Sequence, residues 1–458
     1  MNLNRRDVLR FSAASIGGMS ILPGARWASA ADSLTASEAI QVLNPRGRVP
    51  LSFIIDDSTC LVNMGHFCMP QFAHAWPERE VYKQPWREWP REIPDSFVRE
   101  FGEWCAEHGV KGKYSIVPYP ACVGWLDRTL PGWSSQDLDN SLALVRDLMM
   151  PNWDIHPEMI THTRIIDLKT GRPMAEVNAG TMENSYPQTD ISTDHLAAYL
   201  AYALTILKNC GLKCEGITTP GGFGNRVKDK LPVAVHQAVR DVFGSELPHF
   251  FKYVKNGSES TAPRLEFNGE KVAANLTMNV PAGTGDWFGS WEGSKQPEPD
   301  RYCNEDATSG RMVELIGRGE PAVMLCHWPG MYCNGTKIGF EAFQRVVRSL
   351  GSRFGDQTVW MKVSEIGRYW AAKELTSITR VNESTINMSA PLGCDGFTFS
   401  ASVPNVTQQP FIEHNGNKTP LQSVPKISRL TSHSFAGADG KTIFCVDLPK
   451  GESTLSFG

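Results

Sequence analysis

The sequence predicts an α/β protein, built as a barrel of alternating strands and helices with a small all-β sandwich at its C-terminal end. Two observations predict this class. From Pro50 to about Leu375, apolar runs alternate with segments of helical periodicity, which is the pattern of parallel sheets and α/β barrels. Beyond residue 375, short Thr-, Ser- and Val-rich segments are separated by Gly, Pro, Asn and Asp, which is typical of a sandwich.

Length and composition narrow the possibilities further. With 458 residues the chain exceeds one ordinary domain. We predict a signal peptide (1–30), a linker (31–49), the barrel (50–375) and a β-sandwich accessory domain (376–458). The net charge of -4 and the lack of a Lys/Arg-rich run argue against nucleic acid as a partner. The 13 Trp are a hint of stacking on sugars, although a large core also uses Trp.

The N-terminal residues resemble a twin-arginine export signal. Arg5 and Arg6 precede a mildly apolar stretch, and a small-x-small site ends at Ala30. The stretch, residues 11–22, is too short to cross a bilayer, and no later run reaches about 18 apolar residues. We therefore expect a periplasmic or secreted protein that uses the twin-arginine export machinery and has no stable membrane span.

The elements of the barrel follow in order. The first strand is LSFIID, residues 51–56, and a Pro- and Trp-rich loop over residues 73–94 is expected to form one wall of a cleft. A helix ending at Gly109 follows, and its apolar residues at helical spacing are Phe97, Val98, Phe101 and Trp104. Further strands and helices are predicted over residues 111–119, 138–149, 193–209, 214–222, 229–244, 270–280, 320–330, 337–355 and 357–375.

Two adjacent carboxylates, Asp56 and Asp57, end the first strand. Barrel strands carry active-site residues at their carboxyl ends, although a pair of loop or capping aspartates gives the same pattern. Two negative charges at the mouth of a buried strand are costly unless a positive charge lies beside them. A bound cation would supply that charge.

Two histidines at a later strand end could help to bind such a cation. His156 and His162 lie within seven residues in PNWDIHPEMITHTR, and two imidazoles there can converge on one metal ion. A carboxylate from another strand would complete a three-ligand site. The alternative for each histidine is an ordinary hydrogen-bonded side chain.

A second group of candidates concerns proton transfer and substrate binding. In VMLCHWPG, an apolar strand ends at His327, whose imidazole can act as acid or base near neutral pH. The residues expected to contact a sugar lie in this segment, in GTGDWFGSWEG and in ITTPGG; they are Pro220, Asp286, Trp287 and Trp328. For the Gly-rich segment, ordinary loop packing is the alternative.

The order IIDD, HPEMITH, ITTPGG, VMLCH resembles that of the NodB-type polysaccharide deacetylases, carbohydrate esterases with a distorted (β/α) barrel. The similarity covers roughly residues 50–375. The resemblance implies that Asp56 is the catalytic base and that His327 is the general acid. It also implies that a divalent metal, Zn²⁺ foremost with Co²⁺ or Ni²⁺ as alternatives, is held by Asp57, His156 and His162.

Two features depart from the family pattern. The histidine pair is wider than usual and begins His-Pro, and the motif whose arginine orients the catalytic aspartate reads Thr218-Thr219-Pro220. Arg226 is a candidate to replace that arginine. Metal binding is therefore better supported by the sequence than deacetylation is.

The predicted function is metal-dependent removal of acyl groups, acetyl foremost, from a carbohydrate or polysaccharide. Two alternatives remain open. One is a glycoside hydrolase, which needs two carboxylates flanking a sugar. The other is a non-catalytic carbohydrate-binding protein on the same barrel. The 11 cysteines are an odd number, so at least one has no partner within the chain, and no disulfide connectivity is predicted.

Overall fold

Parallel strands form the part of the fold that leads to the candidate site. The computed structural model describes residues 40–403, 406, 408–438 and 440–457. The strands there are β1 (Ile40–Val42), β2 (Val49–Asp56), β3 (Gly112–Ile116), β4 (Trp153–Pro157), β5 (Ile166–Asp167), β6 (Arg172–Pro173), β7 (Gly216–Thr218), β8 (His249–Phe251), β9 (Arg264–Phe267), β10 (Leu276–Asn279), β11 (Ala322–His327), β12 (Thr358–Trp360), β13 (Ser377–Asn382), β14 (Thr385–Ala390), β15 (Cys394–Ala401), β16 (Phe411–His414), β17 (Asn417–Pro420), β18 (Gln422–Ser423), β19 (Ser434–Ala438), β20 (Lys441–Leu448) and β21 (Gly451–Ser456). The α-helices are α1 (Met64–Ala75), α2 (Asp95–Glu107), α3 (Ser135–Leu144), α4 (Thr193–Asn209), α5 (Leu231–Phe243), α6 (Arg311–Gly317), α7 (Trp328–Tyr332), α8 (Ile338–Phe354) and α9 (Val363–Leu375).

The first parallel sheet is centred on β2. Its strand order is β11-β2-β3-β4, with β12 also paired to β2, and every pairing is parallel. All residues of β2 are buried, as expected for a strand covered on both faces. The register sets His327 beside Asp56. The carboxyl ends of β2 and β11 therefore meet at one edge of the sheet.

A second sheet continues the parallel arrangement. Its order is β7-β8-β10-β9, in which only β9 runs antiparallel to its neighbour. An isolated parallel bridge between Glu158 and Thr218 joins β4 to β7. The amide of Gly283 donates to the carbonyl of Val323 in β11, at 2.8 Å. The α/β prediction with parallel strands is thus confirmed, and the closed barrel stays a prediction.

The helices follow the predicted periodicity in most places. In α2 the buried side chains include Phe97, Val98 and Phe101. In α4 the hydroxyl of Ser192 caps the first turn by accepting from the amide of His195. The helix α1 was not predicted, because Pro70 lies inside it and interrupts the usual helical signature.

Strands after α9, together with β1, form two sheets in which every pairing is antiparallel except the parallel pair β18–β19. Their orders are β1-β15-β20-β19-β18 and β13-β14-β21-β16-β17, and apolar residues of both share one buried cluster with α9. Residues 40–42, which the sequence analysis placed in a linker, form β1 and pair with β15. The described residues from Ile40 onward belong to one compact unit. The domain boundary near residue 375 therefore stays a prediction.

Three further sequence features can be compared with the structure. The predicted signal peptide, and the linker up to residue 39, lie outside the described residues. Among the residues that are described, none of the helices combines the length and apolar character needed to cross a bilayer. All 11 cysteines lie in the described part of the chain, and each has a free thiol.

Candidate metal centre and catalytic cleft

The ends of β2 and β4 bring three potential metal ligands together. They are Asp57, Glu158 and His162, whose ligand atoms all lie within 4.8 Å of one another. Nε2 of His162 is 2.8 Å from Oδ1 of Asp57 and 3.4 Å from Oε1 of Glu158. Both carboxylate side chains are 2% exposed, and the imidazole is 12% exposed. A group of this kind matches the nitrogen and oxygen ligands that Zn²⁺ and related ions take in proteins.

Local backbone geometry supports a functional role for this group. Asp57 and His162 both have positive φ angles, 58° and 62°. Such left-handed conformations cost energy for residues other than glycine and often occur at functional sites. The amide of Asp57 donates to Oε2 of Glu158 at 2.7 Å, which holds one ligand against another.

The electrostatics of the group favour a cation. Burial alone would lower the pKa of His162, but the charge of Asp57 and hydrogen bonds to Asp57, Cys68 and Glu158 raise it well above its usual value. Oδ1 of Asp57 faces Nε2 of His162, and Glu158 adds a second buried carboxylate beside the same imidazole. Two carboxylates against one imidazole leave an excess of negative charge, so these residues fit a divalent metal ion.

Glu183 fixes the loop that carries His162. Its carboxylate accepts from the amides of Ile160, Thr161 and His162 at 3.2, 2.9 and 2.6 Å, and from the hydroxyl of Tyr199. Burial raises the pKa of Glu183 to about 7, although the hydrogen bonds from these donors oppose the rise. Glu183 is not recognisable from the sequence, since its loop has no periodicity that marks a functional residue.

The structure does not bring His156 to this centre. Its Nε2 lies 2.8 Å from Nε2 of His249 in the interior, and it groups with Asp154 and His249. The reason is the position of each residue relative to the end of β4. His156 lies within the strand, whereas Glu158 follows its last residue. Glu158 lies four positions before His162 and occupies the place that the sequence analysis gave to His156.

Asp56 has an unforeseen partner, Lys113 of β3. The fully buried ammonium of Lys113 donates to Oδ1 of Asp56, to the carbonyl of Ile55 and to the hydroxyl of Ser115. Burial and the charge of Glu158 raise the pKa of Asp56, and Lys113 opposes that shift. The segment KGKYSIVPY contains a signal for this pair, because a lysine in a strand that is otherwise buried needs a carboxylate partner.

The sequence predicts Arg226 as the residue that replaces the missing arginine beside Asp56. The structure places Lys113, and not Arg226, at that position. Arg226 lines an adjoining groove rather than the cleft around Asp56. Among the described residues, Lys113 is the cationic side chain that contacts Asp56.

His327 lies at the same cleft, with Asp286 behind it. Oδ2 of Asp286 is 2.7 Å from Nδ1 of His327, and it also accepts from the His327 amide at 3.3 Å. Burial alone would lower the pKa of His327, but the hydrogen bond to Asp286 and the charges of Asp57 and Asp56 raise it to about 10. Asp286, predicted to bind substrate, instead orients this imidazole.

The cleft itself joins the acidic, basic and aromatic groups. Its lining residues are Asp56, Asp57, Phe72, Tyr82, Glu158, His162, Asn184, Thr219, Gly221, Trp291 and His327. The rings of Phe72, Tyr82 and Trp291 lie 5.3–6.0 Å apart, and the ring centre of Phe72 is 6.2 Å from that of His162. An aromatic wall therefore stands next to the metal-ligand group.

Three predicted substrate contacts are placed elsewhere. Trp328 is fully buried and packs against Phe97 and Phe101 in the core. Trp287 packs against Tyr302 and under the guanidinium of Arg301. Pro220 is buried between Thr219 and Gly221, whose atoms do line the cleft. Side-chain direction, which these segments do not encode locally, accounts for the difference.

A second groove adjoins the cleft and shares Tyr82, Asn184 and Gly221 with it. Its other lining residues are Trp76, Arg79, Ala179, Gly180, Ser185, Gln188, Gly222, Asn225 and Arg226. The combination of aromatic rings with amides and hydroxyls suits the faces and hydroxyls of sugars.

Comparisons with known proteins show similarity to solved structures at low sequence identity. No protein-family model matches the chain, and no curated protein matches its sequence. A structure of a Mycobacterium smegmatis protein assigned to the polysaccharide deacetylases is 12% identical and overlaps with 73% of this chain and 96% of its own, at a TM-score of 0.40. A mutant CE4 family pseudoenzyme with restored enzymatic activity is 12% identical, with 70% and 68% covered and a TM-score of 0.29.

A glycoside hydrolase also appears among these structures. The catalytic domain of GH30 xylanase C from Talaromyces cellulolyticus is 8% identical, with 92% of this chain and 99% of its own covered and a TM-score of 0.27. Polysaccharide deacetylases are thus among the similar structures, at low sequence identity. Such scores do not discriminate between activities, so we infer the function from the site.

Proposed function

We propose that the chain is a metal-dependent hydrolase that removes acyl groups, acetyl foremost, from a carbohydrate, on a distorted (β/α) barrel. One observation carries the proposal: a three-ligand metal group, a carboxylate and a histidine line one cleft beside an aromatic wall. Hydrolysis of an acyl group needs an electrophilic centre, a proton acceptor and a proton donor around one carbonyl.

Asp57, Glu158 and His162 would hold the metal, Zn²⁺ foremost with Co²⁺ or Ni²⁺ as alternatives. Bound there, the ion supplies Lewis-acid polarisation of the acyl carbonyl and lowers the pKa of water toward about 7. The chain's contribution is to keep the three ligands converged, through the Glu158 contact to the Asp57 amide and the Glu183 contacts to the His162 loop.

Asp56 acts as the base in this proposal. The oxygen of water forms a bond to the acyl carbon, and a proton of that water passes to the Asp56 carboxylate. Because Lys113 and Ser115 both contact Oδ1, they leave Oδ2 to accept the proton. Lys113 thereby takes the orienting place that the sequence lacks at Thr218.

His327 acts as the acid. Since Nδ1 faces Asp286, the opposite nitrogen, Nε2, is the one that gives its proton to the leaving nitrogen or oxygen. The carbon–nitrogen or carbon–oxygen bond of the acyl group then breaks, and the products are a carboxylic acid and a free amine or hydroxyl. The hydrogen bond to Asp286 raises the pKa of His327, which favours the protonated imidazole that an acid needs.

Sugar binding is assigned to the aromatic wall and the adjoining groove. Tyr82 belongs to both, so a chain of sugar rings could continue from the metal-ligand group into the groove. This continuity favours an oligosaccharide or polysaccharide over a single sugar. Together with the predicted export signal, it suggests a glycan outside the cytoplasm, in the periplasm or beyond.

The glycoside hydrolase alternative fits this arrangement less well. Its two carboxylates must flank a sugar, at about 5–10 Å from each other. Here Asp57 and Glu158 converge on the same imidazole, and Asp56 is engaged by an ammonium. These contacts favour metal binding by the first pair.

The test is acyl release by the metal-loaded protein. Wild type should release acetate from a panel of N- and O-acetylated oligosaccharides, and His162→Ala should lose the cleft ion and the activity together. His74→Ala is the matched control, because His74 is exposed at the end of α1.

Two results would contradict the proposal. Metal-loaded wild type that binds these glycans without releasing acetate would be a carbohydrate-binding protein instead. Release of reducing sugar ends in place of acetate would identify a glycoside hydrolase.

A further inference from the structure

A second cluster of potential ligands lies in the interior, separate from the cleft. Asp154 and His156 of β4 meet His249 of β8, and their ligand atoms lie within 4.8 Å of one another. Nε2 of His156 is 2.8 Å from Nε2 of His249, and Oδ2 of Asp154 is 3.9 Å from the latter. The two imidazoles are 0% and 2% exposed. None of these residues lines the cleft.

The two imidazoles face each other through their outer nitrogens. Nδ1 of His156 lies 3.3 Å from the hydroxyl of Thr218, which leaves Nε2 turned toward Nε2 of His249 at 2.8 Å. Two ring nitrogens in this arrangement either share one hydrogen or bind one cation. The Asp154 carboxylate beside them supplies a negative charge, which favours the cation.

We infer that Asp154, His156 and His249 hold a second divalent cation, of the Zn²⁺ class, in the interior of the protein. Nitrogens 2.8 Å apart can both lie about 2.1 Å from one ion. Two bonds of that length span at most about 4.2 Å, so Oδ2 of Asp154, 3.9 Å from Nε2 of His249, is also within reach. Two imidazoles and one carboxylate form a donor set suited to Zn²⁺, Co²⁺ or Ni²⁺.

The surroundings hold these ligands in place. Oδ2 of Asp154 accepts from the amide of Ser364, and Oδ1 accepts from the Ser364 hydroxyl, each at 2.7 Å. Such outer hydrogen bonds orient metal ligands and keep a carboxylate ionised. Ser364 lies in α9, so the cluster connects β4 and β8 to that helix. The ion would therefore stabilise the packing of these elements rather than take part in hydrolysis.

Gly216 of β7 provides the space that the two imidazoles need. A Cβ at this position would lie 2.5 Å from Nε2 of His156 and 2.6 Å from Nε2 of His249. Both distances are below any contact that carbon and nitrogen tolerate. Only glycine at this position allows the two ligand atoms to converge, and Gly216→Ala would force them apart.

Metal content measured by mass spectrometry tests the inference. The full chain is stripped with a chelator, reloaded with Zn²⁺ and desalted. Wild type should hold two ions per chain, and His249→Gln and His162→Ala should each hold one. His66→Gln is the matched control and should hold two, because the His66 ring contacts a backbone carbonyl outside both clusters.

A second measurement does not depend on the folding of the interior variants. X-ray absorption of Zn²⁺-loaded His162→Ala should show the remaining ion with two imidazole ligands. One ion per wild-type chain, lost in His162→Ala, would overturn the inference and indicate a proton shared by the two rings. Two ions retained by His249→Gln, or a remaining ion in His162→Ala with fewer than two imidazoles, would overturn it as well.

Discussion

Two histidine–carboxylate clusters, only a few residues apart in the chain, lie in different surroundings. Glu158 and His162 meet Asp57 at the cleft, where His162 is 12% exposed, whereas His156 and Asp154 meet His249 in the interior. The first cluster can contact both water and a ligand. The second is sealed by strands and by α9. The comparison shows that similar donor sets differ in their access to water and ligands according to their depth in a sheet.

The largest expected effect comes from removing one histidine of each cluster. His162→Ala should reduce kcat/KM for acetyl release roughly a thousandfold or more, because it takes away a ligand of the reacting centre, and should change stability little. His156→Ala should instead lower the free energy of unfolding by at least about 1–3 kcal/mol, since it leaves buried polar groups without partners. Urea unfolding and acetate release measure the two effects. Equal loss of activity in both variants would remove the distinction between the clusters.

Lys113 belongs to β3, which pairs with β2 and β4, and its removal tests the buried ion pair with Asp56. Lys113→Met should cost about 3–5 kcal/mol of unfolding free energy, because it leaves the buried Asp56 carboxylate without its cation. The matched control is Lys111→Met, whose half-exposed ion pair with Glu365 should contribute less than about 1 kcal/mol. Similar costs for the two variants in urea unfolding would show that the Asp56 pair does not act as a buried ion pair.

The charge balance at the cleft predicts a pH effect centred on His327. Asp286→Asn should lower the His327 pKa from about 10 by several tenths of a unit or more, since the variant loses the charge behind Nδ1. NMR titration of the imidazole measures this shift without a substrate. The pKa of His327 is higher in the folded protein than in the unfolded chain. Protonation of His327 therefore adds stability that is complete below about pH 6.5 and is lost as pH rises through 10. Asp286→Asn should make the free energy of unfolding depend less on pH in this range. An unchanged His327 pKa in the variant would contradict the assigned role of Asp286.

The smallest expected effect concerns the aromatic wall. Trp291→Ala should raise KM for an acetylated oligosaccharide roughly 2- to 10-fold with little change in kcat, which corresponds to about 0.5–1.5 kcal/mol of stacking. Trp287→Ala is the control, because Trp287 packs against Tyr302 outside the cleft. A rise in KM for Trp287→Ala alone would favour the substrate contact that the sequence analysis predicted over the one that the structure indicates.

Several features of the protein follow from local sequence. The alternation of apolar runs and helical periodicity predicts the parallel strands, because a buried strand is apolar along its whole length and a helix is apolar on one face. The strand ends at Asp56 and His327 are visible for the same reason. His162 is also visible as an ionisable residue after a strand, and all three lie at the cleft.

Only the tertiary structure decided the partners of these residues. Lys113 meets Asp56 across 57 positions, Asp286 meets His327 across 41, and His249 meets His156 across 93. Pairing of strands sets such contacts, and neither periodicity nor spacing encodes which distant strand becomes a neighbour. The exchange of His156 for Glu158 has the same origin, because the end of β4 decides which side chain reaches the cleft. The sequence by itself thus determined the class of fold and the ends of its strands, and tertiary packing decided which of those groups act together.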